Sequence, residues 1–465
     1  MAERVVIVGG GVGGLAAALA MGRAGHRVTL LERDPLPVTA DAEAAFVAER
    51  RGAPQVHQTH GFLARVVKEL RARFPDVLDA LLGVGVTTMP MQTPGEPQPG
   101  DDELVVLIVR RTTFEWVLRQ AVVNEPNVDV RTGVSVRALT SSTRVDGVPL
   151  VDGVRLDTGE VVAADIVVAS TGRRGDVPGW LAALGADVEE TVVESGLMYL
   201  SRWYRLPAGF DVELDPKLGG DLGFVKYLAV PGDGGTLSVT LAIRADDRDL
   251  RAALSDEDGF ERACRALPGP DQFFRHPLEP VGGVRPMGGL VNRLRRFVDA
   301  EGKPAVLGFH ALGDAHTCTN PLYGRGCALA LVQAGLLVDA TTAHPDEPAK
   351  RSTAYEAACA REVEPWYEVS VQMDKMGADP AGLALGGTPG EGNAVAALFV
   401  AAATDPIIAR GLARFMNLLA TPTDMMRDGE LVTRMAAVMA DPDAYPVPRR
   451  DGPSRTTLLE TLAAA

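Results

Sequence analysis

Cysteine is scarce in this 465-residue chain, which contains only Cys264, Cys318, Cys327 and Cys359 and no C-x-x-C pair. Four widely spaced cysteines cannot form the dense disulfide framework of small secreted proteins, and the missing C-x-x-C spacing argues against structural zinc. We therefore predict no bound metal and a cytoplasmic location, where thiols stay reduced.

Positive charge is also in short supply. Lys and Arg number 46 against 61 Asp and Glu, which gives a formal net charge of −15. An acidic chain has no general attraction for nucleic acid or anionic lipid, so neither is predicted as a partner. Only six of the basic residues are Lys. A given Arg is therefore weak evidence for anion binding, because Arg is the usual cation of this sequence.

A membrane-spanning run is not predicted either. Residues 5–22 carry no charge, but six of these eighteen positions are Gly. A bilayer span needs about 20 predominantly apolar residues, and the stretch has no convincing signal-peptide cleavage site. The pattern instead favours a strand, a turn and a helix.

The chain does contain a complete βαβ opening. A β-branched run at residues 4–8 is followed by a Gly-rich turn, a small-residue helix and a second strand that ends at Glu32. Gly9 permits the tight turn, Gly11 lets a pyrophosphate approach the backbone, and Gly14 lets the helix pack on the strand. Phosphates bind at such helix N-termini, and Glu32 is placed to accept hydrogen bonds from an adenosine ribose. This pattern predicts a dinucleotide site.

A second Gly-rich strand-to-helix turn lies 300 residues later, at Gly313-Asp314 followed by Pro321, Gly324 and Gly326. With both turns the sequence resembles the flavin-dependent aromatic hydroxylase and epoxidase family, which includes p-hydroxybenzoate hydroxylase and squalene epoxidase. The resemblance covers about residues 1–345. It is closest to bacterial members that tailor polyketides.

The resemblance and the strand-like pattern between about 180 and 295 together predict the fold class. We expect an α/β protein with a Rossmann-like FAD-binding domain, formed by residues 1–175 and 299–345. A mixed β-sheet substrate domain, residues 176–298, is inserted into it. Residues 346–465 form a C-terminal helical region.

The resemblance also implies the cofactor site. It implies that Asp314 holds the ribityl–phosphate part of FAD, that Arg111 contacts FAD, and that the amides from Pro321 to Gly326 face the flavin ring. Without the resemblance, the alternatives are that Asp314 is a helix N-cap or turn residue, that Arg111 pairs with a surface carboxylate, and that Tyr323 is a core residue. The predicted FAD-binding residues are Gly9, Gly11, Val12, Gly13, Gly14, Glu32, Arg33, Arg111, Val136, Asp314, Pro321, Gly324 and Gly326; His57, His60 and Tyr323 are predicted to face substrate or flavin.

The implied activity is that of an FAD-dependent monooxygenase. In this family reduced flavin reacts with O2 to form a C4a-hydroperoxide, which hydroxylates or epoxidises a small molecule without a protein nucleophile. The substrate is expected to be a largely apolar, natural-product-type compound. Electrons come from NAD(P)H or from a separate flavin reductase. The family has Asp-Gly where this chain has Thr171-Gly172, so the choice of donor stays open.

Three alternatives share the cofactor fold. A halogenase needs a Lys near the substrate and a Trp-x-Trp-x-Ile-Pro segment, for which the nearest string here is Trp203-Tyr204-Arg205-Leu206-Pro207. An FAD-dependent dehydrogenase or reductase is the second alternative. A non-enzymatic flavoprotein is the third.

Overall fold

The computed structural model describes residues 2–36, 39–212, 214, 217–378, 394–446 and 451–464. Its first elements are β1 (Arg4–Val8), α1 (Val12–Arg23), β2 (Arg27–Glu32), α2 (Ala42–Val47), α3 (Ala64–Arg73), α4 (Pro75–Gly83), β3 (Thr87–Pro90), β4 (Val105–Ile108), α5 (Arg111–Val123), β5 (Val128–Thr132), β6 (Val136–Thr140), β7 (Thr143–Val145), β8 (Val148–Leu150), β9 (Gly153–Leu156), β10 (Val161–Ala163), β11 (Ile166–Ala169) and α6 (Val177–Ala182). The middle of the chain forms β12 (Glu189–Glu194), β13 (Leu197–Arg205), β14 (Gly219–Asp221), β15 (Val225–Gly232), β16 (Thr236–Arg244), α7 (Arg248–Ser255), α8 (Glu257–Ala266), α9 (Pro270–Phe274), β17 (Glu279–Met287) and β18 (Val291–Arg296). The last elements are β19 (Phe309–Ala311), β20 (Thr317–Cys318), α10 (Gly326–Ala343), α11 (Pro348–Glu362), α12 (Glu364–Ala378), α13 (Ala394–Ala401), α14 (Pro406–Met416), α15 (Pro422–Arg427), α16 (Gly429–Ala440) and α17 (Arg455–Ala463).

A five-stranded parallel sheet in the order β19-β11-β1-β2-β5 forms the centre of the fold. Val5 and Ile7 of β1 point to the face covered by α1 and α10, whereas Val6 and Val8 point to the face covered by β9 and α6. Because both faces are covered, the strand has to be apolar at consecutive positions. This explains the uninterrupted β-branched run at residues 5–8.

A second, antiparallel sheet has the order β14-β15-β16-β13-β17. In β16, Val239 and Leu241 pack under α8, whereas Ser238 and Thr240 occupy the opposite face. Side chains alternate between the two faces of a strand, so one face builds a core and the other is free to line a site. A three-stranded sheet has the order β12-β18-β20; β12 and β18 flank the antiparallel sheet in the sequence, and β20 follows β19.

The described parts of residues 346–465 are helical, and α17 packs against α7 and α8 rather than against the neighbouring helices. Leu458 and Leu462 join the core of the antiparallel sheet, and Arg455 donates to Asp247 at 2.7 Å. The predicted fold class, a Rossmann-like α/β protein with further sheets, is confirmed. The domain boundaries remain a prediction.

α10 is the one unbroken helix among the described residues with the length and apolarity to cross a bilayer. In the fold, 67% of it is buried, and it packs against α1 and α11. All four cysteines are buried and unpaired.

Candidate active site

A cavity of about 3150 Å³ opens at the carboxyl ends of the parallel strands. Its walls come from the Gly-rich turn after β1, the loop before α10, the polar face of the antiparallel sheet and the helices α12 to α16. Ligand pockets usually measure about 300–1,000 Å³, and in doubly wound sheets they lie outside the carboxyl ends of the strands. The cavity therefore has room for a dinucleotide and a second molecule.

The glycines of the first turn divide into two groups by what surrounds them. A Cβ on Gly9 would lie 2.3 Å from the carbonyl oxygen of Ser170, and one on Gly14 would lie 1.8 Å from that of Gly9. These two positions need Gly for packing. A Cβ on Gly11 would meet nothing within 4 Å, because this residue borders the cavity in front of the first turn of α1. The space there suits a pyrophosphate group.

Glu32 is a buried carboxylate at the edge of the cavity, only 5% exposed. Its Oε2 accepts from the Gly10 amide at 2.6 Å and its Oε1 accepts from the Asp34 amide at 2.8 Å. A carboxylate offers about four lone-pair positions, so two remain for ribose hydroxyls. Glu32 thus stabilises the turn and keeps capacity for a ligand.

Arg111, at the start of α5, lines the cavity and is held by a buried carboxylate. Its Nε and Nη2 donate to Glu115 Oε1 at 3.1 and 2.9 Å, and Arg50 donates to Glu115 Oε2 at 2.9 Å. Burial by itself raises the pKa of Glu115, but Arg111 and Arg50 lower it below its ordinary value. The partner of Arg111 is therefore an internal carboxylate, not a surface one.

His60 is a neutral hydrogen-bond acceptor in this cluster. Burial and the nearby Arg111 lower the pKa of His60 to about 3. With Nδ1 donating to the Gln58 carbonyl at 2.9 Å, Nε2 accepts from Arg111 Nη1 at 3.0 Å. The ring therefore orients the guanidinium and carries no charge near neutral pH.

A second buried histidine makes protein stability depend on pH. Burial and Arg351 lower the pKa of His310 on β19 to about 3, whereas an unfolded His titrates near ~6.5. Stability is therefore complete above pH ~6.5 and falls toward pH 3 by ~1.4 kcal/mol per pH unit for this residue. We expect the His310→Phe variant to show a shallower loss of unfolding free energy between pH 7 and 5 in denaturant titrations. An identical slope in both proteins would contradict the assignment.

The loop before α10 brings a second carboxylate to the cavity. Asp314 lines the cavity, and no described residue donates a hydrogen bond to its side chain. Burial raises the pKa of Asp314 against the opposing effect of Arg111 and Arg293. Pro321, Gly324 and Gly326 border the same space at the N-terminus of α10. A half-buried carboxylate that faces a cavity and has no donor among the described residues fits the hydroxyl-rich ribityl chain of FAD.

Tyr323 hydrogen-bonds to Asp374, a residue that no sequence motif indicated. Its hydroxyl donates to Asp374 Oδ1 at 2.7 Å, and Asn320 and Asn292 donate to the same carboxylate at 2.8 and 2.7 Å. Asp374 lies on α12, about 50 residues beyond the loop. Tyr323 also borders the cavity, so it is not an ordinary core residue.

The structure places most of the predicted residues around the cavity and two of them elsewhere. Gly14 is buried in the helix–strand contact, and His57 is buried with Nε2 3.3 Å from the Ala48 carbonyl oxygen. The His57 carbonyl accepts from Trp203 Nε1 at 2.8 Å, so this part of the chain packs behind the residues that line the cavity. The predicted residues that border the cavity are Gly9, Gly11, Val12, Gly13, Glu32, Arg33, His60, Arg111, Val136, Asp314, Pro321, Tyr323, Gly324 and Gly326.

Among the described residues, no group of three His, Cys, Asp or Glu side chains is arranged to hold a metal ion. Two cysteines do border the cavity, Cys318 and Cys327. Burial raises the pKa of both thiols, so they stay protonated and poorly nucleophilic.

Comparisons with known proteins agree with this geometry. Residues 4–190 match the family described as FAD dependent oxidoreductase. Protein Rv3254 of Mycobacterium tuberculosis is 27% identical, over 72% of each chain. Kynurenine 3-monooxygenase of Salinispora arenicola is 28% identical, over 77% of this chain and 76% of its own.

The fold is shared with OxyS, the anhydrotetracycline hydroxylase of Streptomyces rimosus. The match has a TM-score of 0.59 at 19% identity, over 91% of this chain and 77% of OxyS. The family resemblance predicted from the two Gly-rich turns is confirmed. The family model and these relatives support an enzyme that is similar to the FAD-dependent oxidoreductases, with residues 4–190 matching that family directly.

Proposed function

We propose that this enzyme inserts one oxygen atom from O2 into a small, largely apolar, natural-product-type molecule, as a hydroxyl group or an epoxide. The observation that carries the proposal is the continuity of one cavity from the two Gly-rich turns to an apolar wall. Four C-terminal helices supply that wall, and Met side chains adapt to irregular ligand shapes. The apolar lining residues on these helices include Leu398, Phe399, Leu412, Phe415, Met416, Met425, Met435 and Met439.

The proposed FAD site follows the cavity from one turn to the other. The pyrophosphate would lie at Gly11 and Gly13 before the N-terminus of α1, and Glu32 would accept from the ribose. Arg33 and Val136 border the adenosine end. Arg111 and Asp314 would hold the ribityl region, and the amides from Pro321 to Gly326 would face the flavin ring.

The protein residues have a positioning and shielding role in this proposal. Bound FAD, once reduced, supplies with O2 an electrophilic oxygen atom. The apolar helices exclude water from it, and the N-terminus of α10 favours negative charge at the ring edge next to the loop. No Ser, Cys or His nucleophile is required, and the neutral His60 only orients Arg111.

The electron donor is proposed to be NAD(P)H or a separate flavin reductase. The segment where the family has Asp-Gly is Thr171-Gly172-Arg173, and all three residues border the cavity. The Arg173 guanidinium donates to the Gly289 and Gly288 carbonyls at 3.4 Å. A cationic side chain there is compatible with an anionic cofactor approaching from that side.

Loss of the Asp314 carboxylate is expected to weaken FAD binding. Removing acceptors for the ribityl hydroxyls costs about 1–3 kcal/mol, which is roughly a 5- to 150-fold lower affinity. We expect Asp314→Ala to show this loss in FAD titrations of the apoprotein, and Asp314→Asn to show a smaller one because it keeps one acceptor. Denaturation of the parent should release all its FAD, since the cavity thiols are protonated. Asp314→Ala with parental FAD affinity would contradict the assigned role.

Isotope labelling tests the reaction itself. The holoenzyme, with NAD(P)H or an added flavin reductase, is supplied with ¹⁸O2 and with candidate substrates. These candidates are intermediates of the biosynthetic pathway that the neighbouring genes encode. We expect one labelled oxygen atom per product molecule, and none when the label is in water. A reduced, desaturated or halogenated product without label would overturn the monooxygenase proposal in favour of an alternative with the same cofactor fold.

A further inference from the structure

Four hydroxyl groups form a continuous hydrogen-bonded chain in one wall of the cavity. Ser201 lies on β13, Ser238 and Thr240 lie on β16, and Thr59 lies in the segment that follows the short helix Pro54–His57. Thr240 Oγ1 lies 2.6 Å from Thr59 Oγ1 and 2.6 Å from Ser201 Oγ. Thr59 also hydrogen-bonds with the Ser238 hydroxyl.

An amide group terminates this chain. Ser201 Oγ donates to Gln58 Oε1 at 2.6 Å, while Gln58 Nε2 donates to the Arg285 carbonyl at 3.2 Å. The second contact fixes the orientation of the amide, because a flipped amide would place Oε1 against the carbonyl oxygen of Arg285. Gln58 Oε1 can only accept.

The donor and the acceptor in every hydrogen bond of this series follow from the fixed acceptor at its Gln58 end. Each hydroxyl has one proton to donate. Ser201 uses its proton on Gln58, so Thr240 must donate to Ser201. Thr59 must then donate to Thr240, which leaves Ser238 as the donor to Thr59. All four protons are committed.

Only part of the chain is reachable from the cavity. Ser201 and Ser238 are 0% and 1% exposed, whereas Thr59 and Thr240 border the cavity. Each of these two threonine oxygens accepts one internal hydrogen bond and keeps one unused lone pair. The two threonine hydroxyls therefore present acceptors and no donor to a ligand.

The patch lies close to the loop that precedes α10. Thr59 is two residues before Gly61, whose carbonyl oxygen lies 3.4 Å from where a Cβ on Gly324 would be. Polar groups next to such a loop orient a ligand relative to it. Because the chain ends in an amide rather than a base, it can orient a donor but cannot remove its proton.

We infer that Thr59 and Thr240 form a subsite that selects substrates carrying a hydrogen-bond donor, a hydroxyl or N–H group, on an otherwise apolar skeleton. An ether or ketone oxygen at the same position would face two acceptors and be rejected. This inference rests on the proposed function, because it takes the cavity ligand to be the apolar molecule. It specifies which polar group that molecule carries.

The test measures binding of matched probes to the oxidised, FAD-loaded enzyme without a reductant, so that no turnover occurs. The probes are 2-naphthol and 2-methoxynaphthalene, followed through the absorbance change of bound FAD. We expect the parent to bind the hydroxyl probe about 10-fold more tightly, as for one well-placed hydrogen bond. The preference should fall to within about twofold in Thr240→Val, which deletes an acceptor.

Two further variants separate this role from a structural one. Ser201→Ala leaves both cavity hydroxyls in place but frees the proton of Thr240, so the methoxy probe should bind more tightly than it does to the parent. Ser238→Ala removes only the hydroxyl at the end of the series farthest from Gln58, and it should keep the parental preference for the hydroxyl probe. Equal binding of both probes by the parent, binding of neither probe, or an unchanged preference in Thr240→Val and Ser201→Ala would overturn the inference. None of these outcomes bears on ¹⁸O incorporation, which tests the proposed function separately.

Discussion

Gly11→Val is expected to yield a folded protein that no longer retains FAD. Gly11 has φ −81° and ψ −175°, an extended conformation open to any L-residue, and its Cβ would meet nothing within 4 Å. The variant therefore adds no backbone strain. Its methyl groups would occupy the space in front of α1 that a pyrophosphate needs. We expect FAD affinity to fall on the order of 100-fold, which corresponds to ~2.7 kcal/mol, in titrations of the apoprotein.

Two other glycines provide the controls. Gly14→Val should give no folded protein, because its Cβ would lie 1.8 Å from the Gly9 carbonyl oxygen. Gly429→Val, at the exposed start of α16, should fold and keep FAD, because its Cβ also meets nothing within 4 Å. Gly11→Val with parental FAD affinity would show that the cofactor does not approach this turn.

Glu115→Ala is expected to give a folded protein with a large loss of stability. Glu115 is 2% exposed and holds Arg111 and Arg50, which are themselves largely buried. Removing one partner of a buried ion pair leaves uncompensated charge and costs about 3–5 kcal/mol. We expect a lower midpoint in urea unfolding, together with weaker FAD binding because Arg111 loses its support.

The exposed pair Arg131–Glu160 is the matched control. Its carboxylate lies 2.9 Å from the guanidinium but is well solvated, and exposed ion pairs contribute little. Glu160→Ala should leave the unfolding midpoint near that of the parent. Equal effects of the two variants would mean that Glu115 is not needed to balance the buried arginines.

The βαβ opening could be predicted from the sequence because its determinants are local. Gly14 is required by its contact with Gly9, five residues earlier, and Gly9 adopts a φ of +109° that favours Gly, while the buried strand β1 carries an unbroken β-branched run. The position of Glu32, at the end of the second strand, follows from the same βαβ unit. The loop from Gly313 to Gly326 was predictable only through the family resemblance, since a Gly-Asp turn on its own is ambiguous.

Other parts of the site depend on contacts between distant segments. Asp374 carries no motif, yet it binds Tyr323 because α12 packs beside the loop that precedes α10. Cys318 and Cys327 border the cavity although neither was predicted there. His57 and His60 are three residues apart in the sequence, but the backbone turn between them buries one behind the wall and turns the other toward Arg111.

The sequence by itself determined the Gly-rich turn of the βαβ unit and the α/β fold class, because both depend on short-range sterics and on strand and helix periodicity, whereas the flavoprotein family was predicted through its resemblance to known sequences. Tertiary structure alone decided which polar groups meet in the cavity wall. Thr59 and Thr240 are 181 positions apart, and their pairing required β16 to lie beside the segment after residue 57. The direction of that hydrogen-bond chain depends further on Gln58 reaching the Arg285 carbonyl on β17. Sequence patterns do not encode such contacts, because they arise only when separate elements pack and each buried donor must find an acceptor.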